Sequence, residues 1–527
     1  MVGQNPPDAP VRPGVSGGFP RAAGETRPLG PASQNFGVRE ESGPGGRLDP
    51  VLMGAVALGV YAAHGFDGRL NHDLGVFTYG GIQVADGVPP YAGIFNSVGP
   101  LGDLVPGVAI WAGRHIGLDP VLAARLLLLV IAAACCALVV VLARTVLTSR
   151  VAGLVAGAVF LSFEEFLALA SDGPREKTTM VLFLLLALLA LLRRRWLLAG
   201  AATALATLAW QPVLAVAVVA AAVAIATGPR RARAAAAYLL GGVIPTAVTA
   251  ALFAVRGDLG DAVDGFLVTN LDTSQPSAIS DPHGTWAFLW RGYHLSLWLA
   301  AAGLVALLVL AAVRRDRALA VLGAGALAGT AWTVYAVNGP PDLFVLLPFA
   351  AVGAAGGVTA LADRLRPRSA LAVVGAATAA CALLAGAESV HGRNDGLDPE
   401  RADVADVLAA VPPDATVLSL DAPEVLALAD RRNPSAYQLF DAGMRDYLDH
   451  TLPSGVTGYA ADVAAERPTL IAAPATGLPS WARPELDPDY RYAGRGPDWS
   501  WWILRSAGRA EAQAVRGANR VARDAPA

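Results

Sequence analysis

Residues 66–81 read Phe66-Asp-Gly-Arg-Leu-Asn-His-Asp-Leu-Gly-Val-Phe-Thr-Tyr-Gly-Gly, and residues 88–101 read Val88-Pro-Pro-Tyr-Ala-Gly-Ile-Phe-Asn-Ser-Val-Gly-Pro-Leu. An apolar run ends near Tyr61. Beyond it comes a carboxylate, Asp73, within reach of a bilayer surface, and then aromatic and Gly/Pro-rich sequence. A membrane chain that only had to reverse direction would use a few polar residues here. This one uses about thirty, far beyond the usual connection, so the segment reads as a site carried on a loop.

Composition supplies the membrane. The chain has 527 residues, 54% hydrophobic and 16% charged, with a mean hydropathy of +0.47. Soluble domains carry roughly 25% charged residues, so the balance is that of a polytopic α-helical membrane protein. The net charge of −3 says nothing about nucleic acid, but no basic stripe with interleaved aromatics occurs, so no nucleic-acid partner is expected. Cys135, Cys136 and Cys381 all lie inside apolar runs at spacings that suit no common metal site, and read as packing residues. Residues 1–47, rich in Pro, Gly and Arg, read as a disordered cytoplasmic tail. They place the first apolar run too far along to be a cleavable signal, so it reads as an anchor.

Apolar runs fall near 48–64, 120–143, 151–169, 178–192, 196–210, 212–227, 234–254, 294–313, 317–337, 342–361 and 369–387. Basic clusters sit between alternate runs: Arg144/Arg150, Arg193–Arg195, Arg230/Arg231/Arg233, Arg314/Arg315/Arg317 and Arg364/Arg366/Arg368. The positive-inside rule puts all five in the cytoplasm with the N-terminus. That parity holds only if 100–117, with Asp103, Pro106, Arg114 and His115, stays a juxtamembrane or re-entrant helix. The expectation is about eleven spans in a cell membrane over residues 48–390, with outer loops 65–119, 170–177 and 255–293. The runs on either side of Gln211-Pro212 are short and predict a tilted hairpin.

From about residue 391 the composition becomes that of a soluble α/β domain, extending to 506 on the extracytoplasmic side. Leu397-Asp-Pro-Glu opens a helix to about 410. Thr416-Val-Leu-Ser-Leu, Thr469-Leu-Ile-Ala-Ala and Trp499-Ser-Trp-Trp-Ile read as strands, with helical patterns near 423–430, 441–450 and 459–466. No phosphate loop, nucleophile elbow or zinc spacing occurs there, so the domain reads as a lid or an acceptor-binding module. Residues 507–527, charged and Ala-rich, read as a disordered tail.

The first loop resembles that of the GT-C superfamily, integral-membrane glycosyltransferases that use lipid-phosphate sugars. Asp73, Phe77, Asp86-Gly87, Pro90-Tyr91, Phe95 and Gly99-Pro100-Leu101 match its pattern. Arg125, the hairpin at Gln211-Pro212 and the run Gly339-Pro-Pro-Asp-Leu-Phe-Val-Leu-Leu-Pro are also similar. The resemblance covers about residues 48–390 and is closest to bacterial dolichyl-phosphate-mannose mannosyltransferase-like proteins. It implies transfer of a monosaccharide, mannose first and arabinofuranose second, from a polyprenyl-phosphate donor held in membrane lipid to a glycan, glycolipid or protein hydroxyl. One departure stands out: many members carry an acidic pair at the first position, whereas Leu74 follows Asp73 here.

That chemistry needs a base for the acceptor hydroxyl, cations for the departing phosphate and an apolar groove for the prenyl chain. Asp73 is the candidate base, its pKa expected to rise near a low-dielectric surface; the plainer reading makes it a helix cap. Asp86 and Tyr91 are candidate loop residues on the acceptor side, Asp86 reading first as a turn residue because Gly87 follows it. The second loop, Ser171-Asp-Gly-Pro-Arg-Glu-Lys, puts Asp172, Arg175, Glu176 and Lys177 at the mouth of two spans. Lys177 is the only lysine in a chain whose arginines number 39, and a compact ammonium there suits a phosphate. Asp172 or Glu176 would be the second carboxylate, although an ion-paired helix start would look the same. In the third loop Arg256, His283 and Arg291 are candidate phosphate ligands among interfacial tryptophans. No cofactor is called for: no His/Cys/Asp spacing demands a metal, and a divalent cation bridging carboxylate and phosphate stays open without support from the sequence. A transporter or lipid flippase is the competing class, but it would carry ionisable groups in mid-span and paired broken helices, and the apolar runs here are nearly free of charge.

Overall fold

The computed structural model describes residues 44–272 and 281–521, so the expectation of disorder over residues 1–43 falls outside what is described. Residues 44–47 already belong to the first helix, α1 (Pro44–His64). The long loop that follows folds into two helices, α2 (His72–Ala85) and α3 (Leu101–Arg114), which pack on each other. Asn71 caps α2 by accepting from the Leu74 amide, leaving Asp73 in the first turn, where a carboxylate suits the helix dipole. The segment 100–117, expected as a juxtamembrane or re-entrant helix, holds α3.

The next helices follow the apolar runs closely. They are α4 (Pro120–Leu147), α5 (Arg150–Leu161), α6 (Glu164–Asp172), α7 (Glu176–Leu192), α8 (Trp196–Ala209), α9 (Val213–Ala226) and α10 (Arg231–Arg256). Asp119 caps α4 ahead of Pro120, Ser149 caps α5, and Trp210–Pro212 turns α8 into α9 as the hairpin expectation has it. Two short helices, α11 (Leu259–Val263) and α12 (Thr269–Asp272), flank a π-turn. Then come α13 (Pro282–Arg314), α14 (Arg317–Tyr335), a 3₁₀ turn at Pro340–Val345, α15 (Leu347–Ala362) and α16 (Pro367–His391).

The run at 151–169 is not one straight helix: α5 and α6 meet at 68°. The break falls where Ser162 and Phe163 leave helical geometry, ahead of Glu164 and Glu165, whose carboxylates then sit in a new first turn. A second break lies opposite it, at His294 inside α13, whose ring faces the Glu164 carboxylate at 3.0 Å. Among the described residues five helices are long and apolar enough to cross a membrane, or six if the bent pair is one span, with shorter apolar helices beside them.

The C-terminal part packs helices around a four-stranded sheet. Its elements are α17 (Leu397–Ala409), β1 (Val417–Ser419), α18 (Pro423–Ala429), α19 (Ala442–Thr451), α20 (Gly455–Glu466), β2 (Leu470–Pro474), α21 (Arg483–Leu486), β3 (Tyr490–Arg495) and β4 (Trp499–Leu504). Strand order is β1-β2-β4-β3, parallel between β1 and β2 and antiparallel elsewhere. Trp499 and Trp501 both donate their indole N–H to Asp403 on α17, a buried carboxylate that needs those partners. The sequence reading named three of these strands and missed β3. The tail expected over 507–527 is corrected: Arg509–Val521 forms a helix, α22, because Ala512, Val515 and Ala518 recur on one face and cover β3 and α17. Residues 522–527 lie outside the described residues.

Candidate active site

One buried side chain organises the entrance to the site. Arg125 on α4 is fully buried and donates to the carbonyls of Phe66, Gly68 and Gly173. A guanidinium offers five donors in a rigid fork, so a single arginine pins the start of the first loop to the turn before α7. That places the first turn of α2 next to residues 175–177.

Between these elements lies a cavity of about 810 Å³. Its ionic lining includes Asp73, Arg175, Glu176, Lys177 and Asp342, with His72, Glu165 and Asp441 around them. Arg175 donates to Asp73 Oδ2 at 2.5 Å and its Nε lies 3.3 Å from Glu176 Oε2. Lys177 Nζ bridges Glu176 Oε1 at 3.0 Å and Asp342 Oδ1 at 3.1 Å. The Lys177 ammonium also lies 5.5 Å from the Trp210 ring centre, and the Arg175 guanidinium 5.7 Å from that of Phe77. Asp342 is fixed in turn by the amides of Asn338 and Gly339. The apolar lining is Leu214, Phe266, Leu267, Leu271, Phe288 and Trp332, from α9, the 264–272 turns, α13 and α14. Leu439, Asp441 and Met444 close it from the C-terminal domain.

No family model matches the sequence, and a search of curated proteins returns no match. Solved structures do match. ArnT from Cupriavidus metallidurans in the apo state aligns with a TM-score of 0.60 at 15% identity, over 86% of this chain and 97% of that one. The same protein bound to undecaprenyl phosphate gives 0.59 at 14%, over 87% and 98%. The archaeal oligosaccharyltransferase AglB from Archaeoglobus fulgidus, in complex with an inhibitory peptide and a dolichol-phosphate, gives 0.52 at 14%, over 81% and 69%. The chain shares its fold with these structures. At these identities the alignment speaks for architecture, and the chemistry has to be argued from the residues that the fold brings together.

Within this fold, four of the nominated residues converge: Asp73, Arg175, Glu176 and Lys177 line one cavity. Six do not line it. Asp172 lies 3.6 Å from His64 Nε2 and is packed so close to the first loop that a Cβ on Gly68 would meet its carboxyl at 2.1 Å. Arg256 is exposed and donates to the Gly87 carbonyl. His283 is exposed at the start of α13, and Arg291 is exposed with its guanidinium over Phe288. Asp86 pairs with Arg114 and Arg432. Tyr91 is buried, with its hydroxyl donating to the Val98 carbonyl.

The expected rise in the Asp73 pKa is also corrected. The Arg175 charge holds this carboxyl well below the usual carboxylate range; burial pushes the other way and is overcome, with His72 adding to the downward pull. Asp73 is therefore ionised and paired when the cavity is empty of substrate. Asp103 on α3, outside the lining, behaves oppositely: burial raises it to about 7 although Asn96 donates to it.

Sequence reasoning missed three cavity carboxylates, Asp342, Glu165 and Asp441. Asp342 had a visible signal, since it is the one charged residue of the Gly339–Pro348 run already singled out. Glu165 carried a signal too, as an acid in the middle of an apolar run. Among the described residues no cluster of His, Cys, Asp and Glu could hold a metal ion.

Proposed function

We propose that the protein is a polyprenyl-phosphate-dependent membrane glycosyltransferase. The observation that carries the reading is an exposed carboxylate, Asp73, set beside Arg175 and Lys177 in a cavity that also presents an apolar wall from Leu214, Phe266, Leu267, Leu271, Phe288 and Trp332. Such a cavity suits an amphipathic donor, with its phosphate at the cations and its prenyl chain along Leu214, Phe266, Leu271 and Trp332. The fold supports it as well, since similar structures include one bound to undecaprenyl phosphate and one bound to a dolichol-phosphate.

In this reading the donor phosphate competes with Asp73 for Arg175. As the guanidinium turns to the phosphate, the Asp73 carboxylate loses its strongest counter-charge and becomes a better base. An acceptor hydroxyl then attacks the anomeric carbon, and its proton passes to Asp73. The bond from that carbon to the phosphate oxygen breaks with inversion, and the polyprenyl phosphate leaves with its new negative charge held by Arg175 and Lys177. No general acid is needed, because a phosphate is already a good leaving group. The sugar is mannose in the favoured form of the proposal, and the acceptor is a glycan, glycolipid or protein hydroxyl on the extracytoplasmic face.

The test is sugar transfer from labelled polyprenyl-phosphate mannose in membranes carrying wild-type protein or Asp73→Asn. Transfer by the wild type that falls at least about 100-fold in the variant is the expected result. Equal transfer by both removes Asp73 from the mechanism. Failure of every polyprenyl-phosphate sugar alongside activity in a lipid-flipping assay overturns the enzyme reading.

A further inference from the structure

The C-terminal domain reaches the candidate base through one imidazole. His72 follows the Asn71 cap, and its Nδ1 lies 3.7 Å from Asp73 Oδ1, on the opposite carboxylate oxygen from Arg175. Its Nε2 lies 3.4 Å from Asp421 Oδ1, in the loop after β1. Asp421 is held there from three sides. It takes a left-handed φ of 64°, its amide donates to the Gln438 carbonyl at 2.7 Å, and its Oδ1 accepts from the Phe440 amide at 2.8 Å.

The domain that carries Asp421 is docked rather than tethered. A Cβ on Gly75 would meet the Glu424 backbone at 2.6 Å, so α18 lies directly on the first turn of α2. Hydrogen bonds reinforce the contact: Asn433 N to Tyr79 Oη at 2.9 Å, Leu70 N to Glu400 Oε2 at 2.8 Å, Leu397 N to the Asp67 carbonyl and Phe95 N to the Ala436 carbonyl, both 2.9 Å. Every one of them joins the first loop to the domain.

We propose that the C-terminal domain completes the active site by supplying Asp421, which holds His72 as a positively charged positioning residue for Asp73. His72 keeps the carboxylate oriented and ionised when Arg175 turns to the donor phosphate. This role rests on the glycosyltransferase reading above. The groups that face the imidazole are Asp73 on its own helix, Asp421 from the loop after β1 and Glu424 on α18, with Arg175 beyond Asp73. Burial works against the charge, but Asp421 and Asp73, with Glu424 behind them, push the imidazolium up to about 10.

Two measurements on the full chain in nanodiscs test the proposal. The first is histidine-labelled NMR, with His72 assigned by its loss in His72→Gln. The wild-type imidazole should stay protonated past pH 8, and Asp421→Asn should lower its midpoint by at least about one unit. The second is kinetics. His72→Gln should lower kcat about tenfold with the donor KM within twofold, and should move the acid limb of the kcat profile to higher pH, because removing a cation raises the Asp73 pKa. Asp421→Asn should do the same, the double variant should be no worse than either single one, and His72→Lys should return the limb toward its original position. A purely structural role would instead lower thermal stability and leave the limb in place. An imidazole that titrates near 6.5 in the wild type, or a His72→Gln enzyme with an unshifted profile, overturns the proposal. If the wild type transfers no sugar from any donor, the enzyme reading fails, and the imidazole titration alone decides the Asp421 link.

Discussion

Asp73 on α2 and Glu176 at the start of α7 both meet the Arg175 side chain, yet the regions that present them are built differently. The Glu176 side chain is 2% exposed and lies between Arg175 and Lys177, with Lys177 passing on to Asp342. The Asp73 side chain is 57% exposed and faces the cavity. Buried charges need partners to offset their desolvation, and Glu176 has them on both sides. A carboxylate enclosed in this way holds cations in place. One that stands open beside a cation has a proton-accepting oxygen to offer. On the proposed mechanism, the start of α7 frames the site electrostatically and the start of α2 carries the reactive carboxylate.

The largest effect expected from that division is on kcat in Asp73→Asn, at least about 100-fold, with thermal stability lowered as well, because the amide removes the charge that pairs the buried Arg175. Lys177→Met should come next. It leaves Glu176 and Asp342 buried without their shared cation, and breaking a buried pair costs about 3–5 kcal/mol. Differential scanning fluorimetry of the purified protein reads this directly, and Lys177→Arg should recover only part of the loss, since a planar fork does not replace a compact ammonium between two carboxylates. Unchanged melting in Lys177→Met would mean the network is not what holds this region together.

Glu176→Gln sharpens the comparison at a smaller scale. The amide keeps the shape and can still accept from Lys177, so a loss of about 1–2 kcal/mol in stability is expected, with kcat within about tenfold. A variant that melts like wild type but loses as much kcat as Asp73→Asn would exchange the roles of the two carboxylates.

Much of this organisation was legible beforehand, and the reasons differ by region. The apolar runs gave the helix positions because hydropathy and length constrain a span directly. The first loop announced itself by its length and its Gly/Pro content. The second loop was ambiguous for a physical reason: an ion-paired helix start and a phosphate site use the same residues, and Arg175, Glu176 and Lys177 are placed to serve as both. What the pattern hid was long-range pairing. Asp421 meets His72 across some 350 residues, and Asp342 meets Lys177 from a late turn; no local periodicity encodes either contact. The α22 stripe was hidden by its brevity, since Ala512, Val515 and Ala518 are spaced as a helix face but lie among charges.

Asp172 provides the sharpest separation between neighbours in sequence and neighbours in function. It precedes Arg175 by three residues, but α6 ends at Asp172 and the chain turns at Gly173, where Arg125 grips the carbonyl. The turn sends the Asp172 carboxylate toward His64 and Gly68, under the first loop, while Arg175 emerges into the cavity. Asp172→Asn should therefore change transfer by less than about threefold and lower stability by about 1–3 kcal/mol, the cost of leaving the buried His64 imidazole without its charged partner. Side-by-side transfer and melting curves check both numbers. A loss approaching that of Asp73→Asn at unchanged stability would put Asp172 in the reacting set, and the charge that frames the site would then extend around the turn instead of stopping at it.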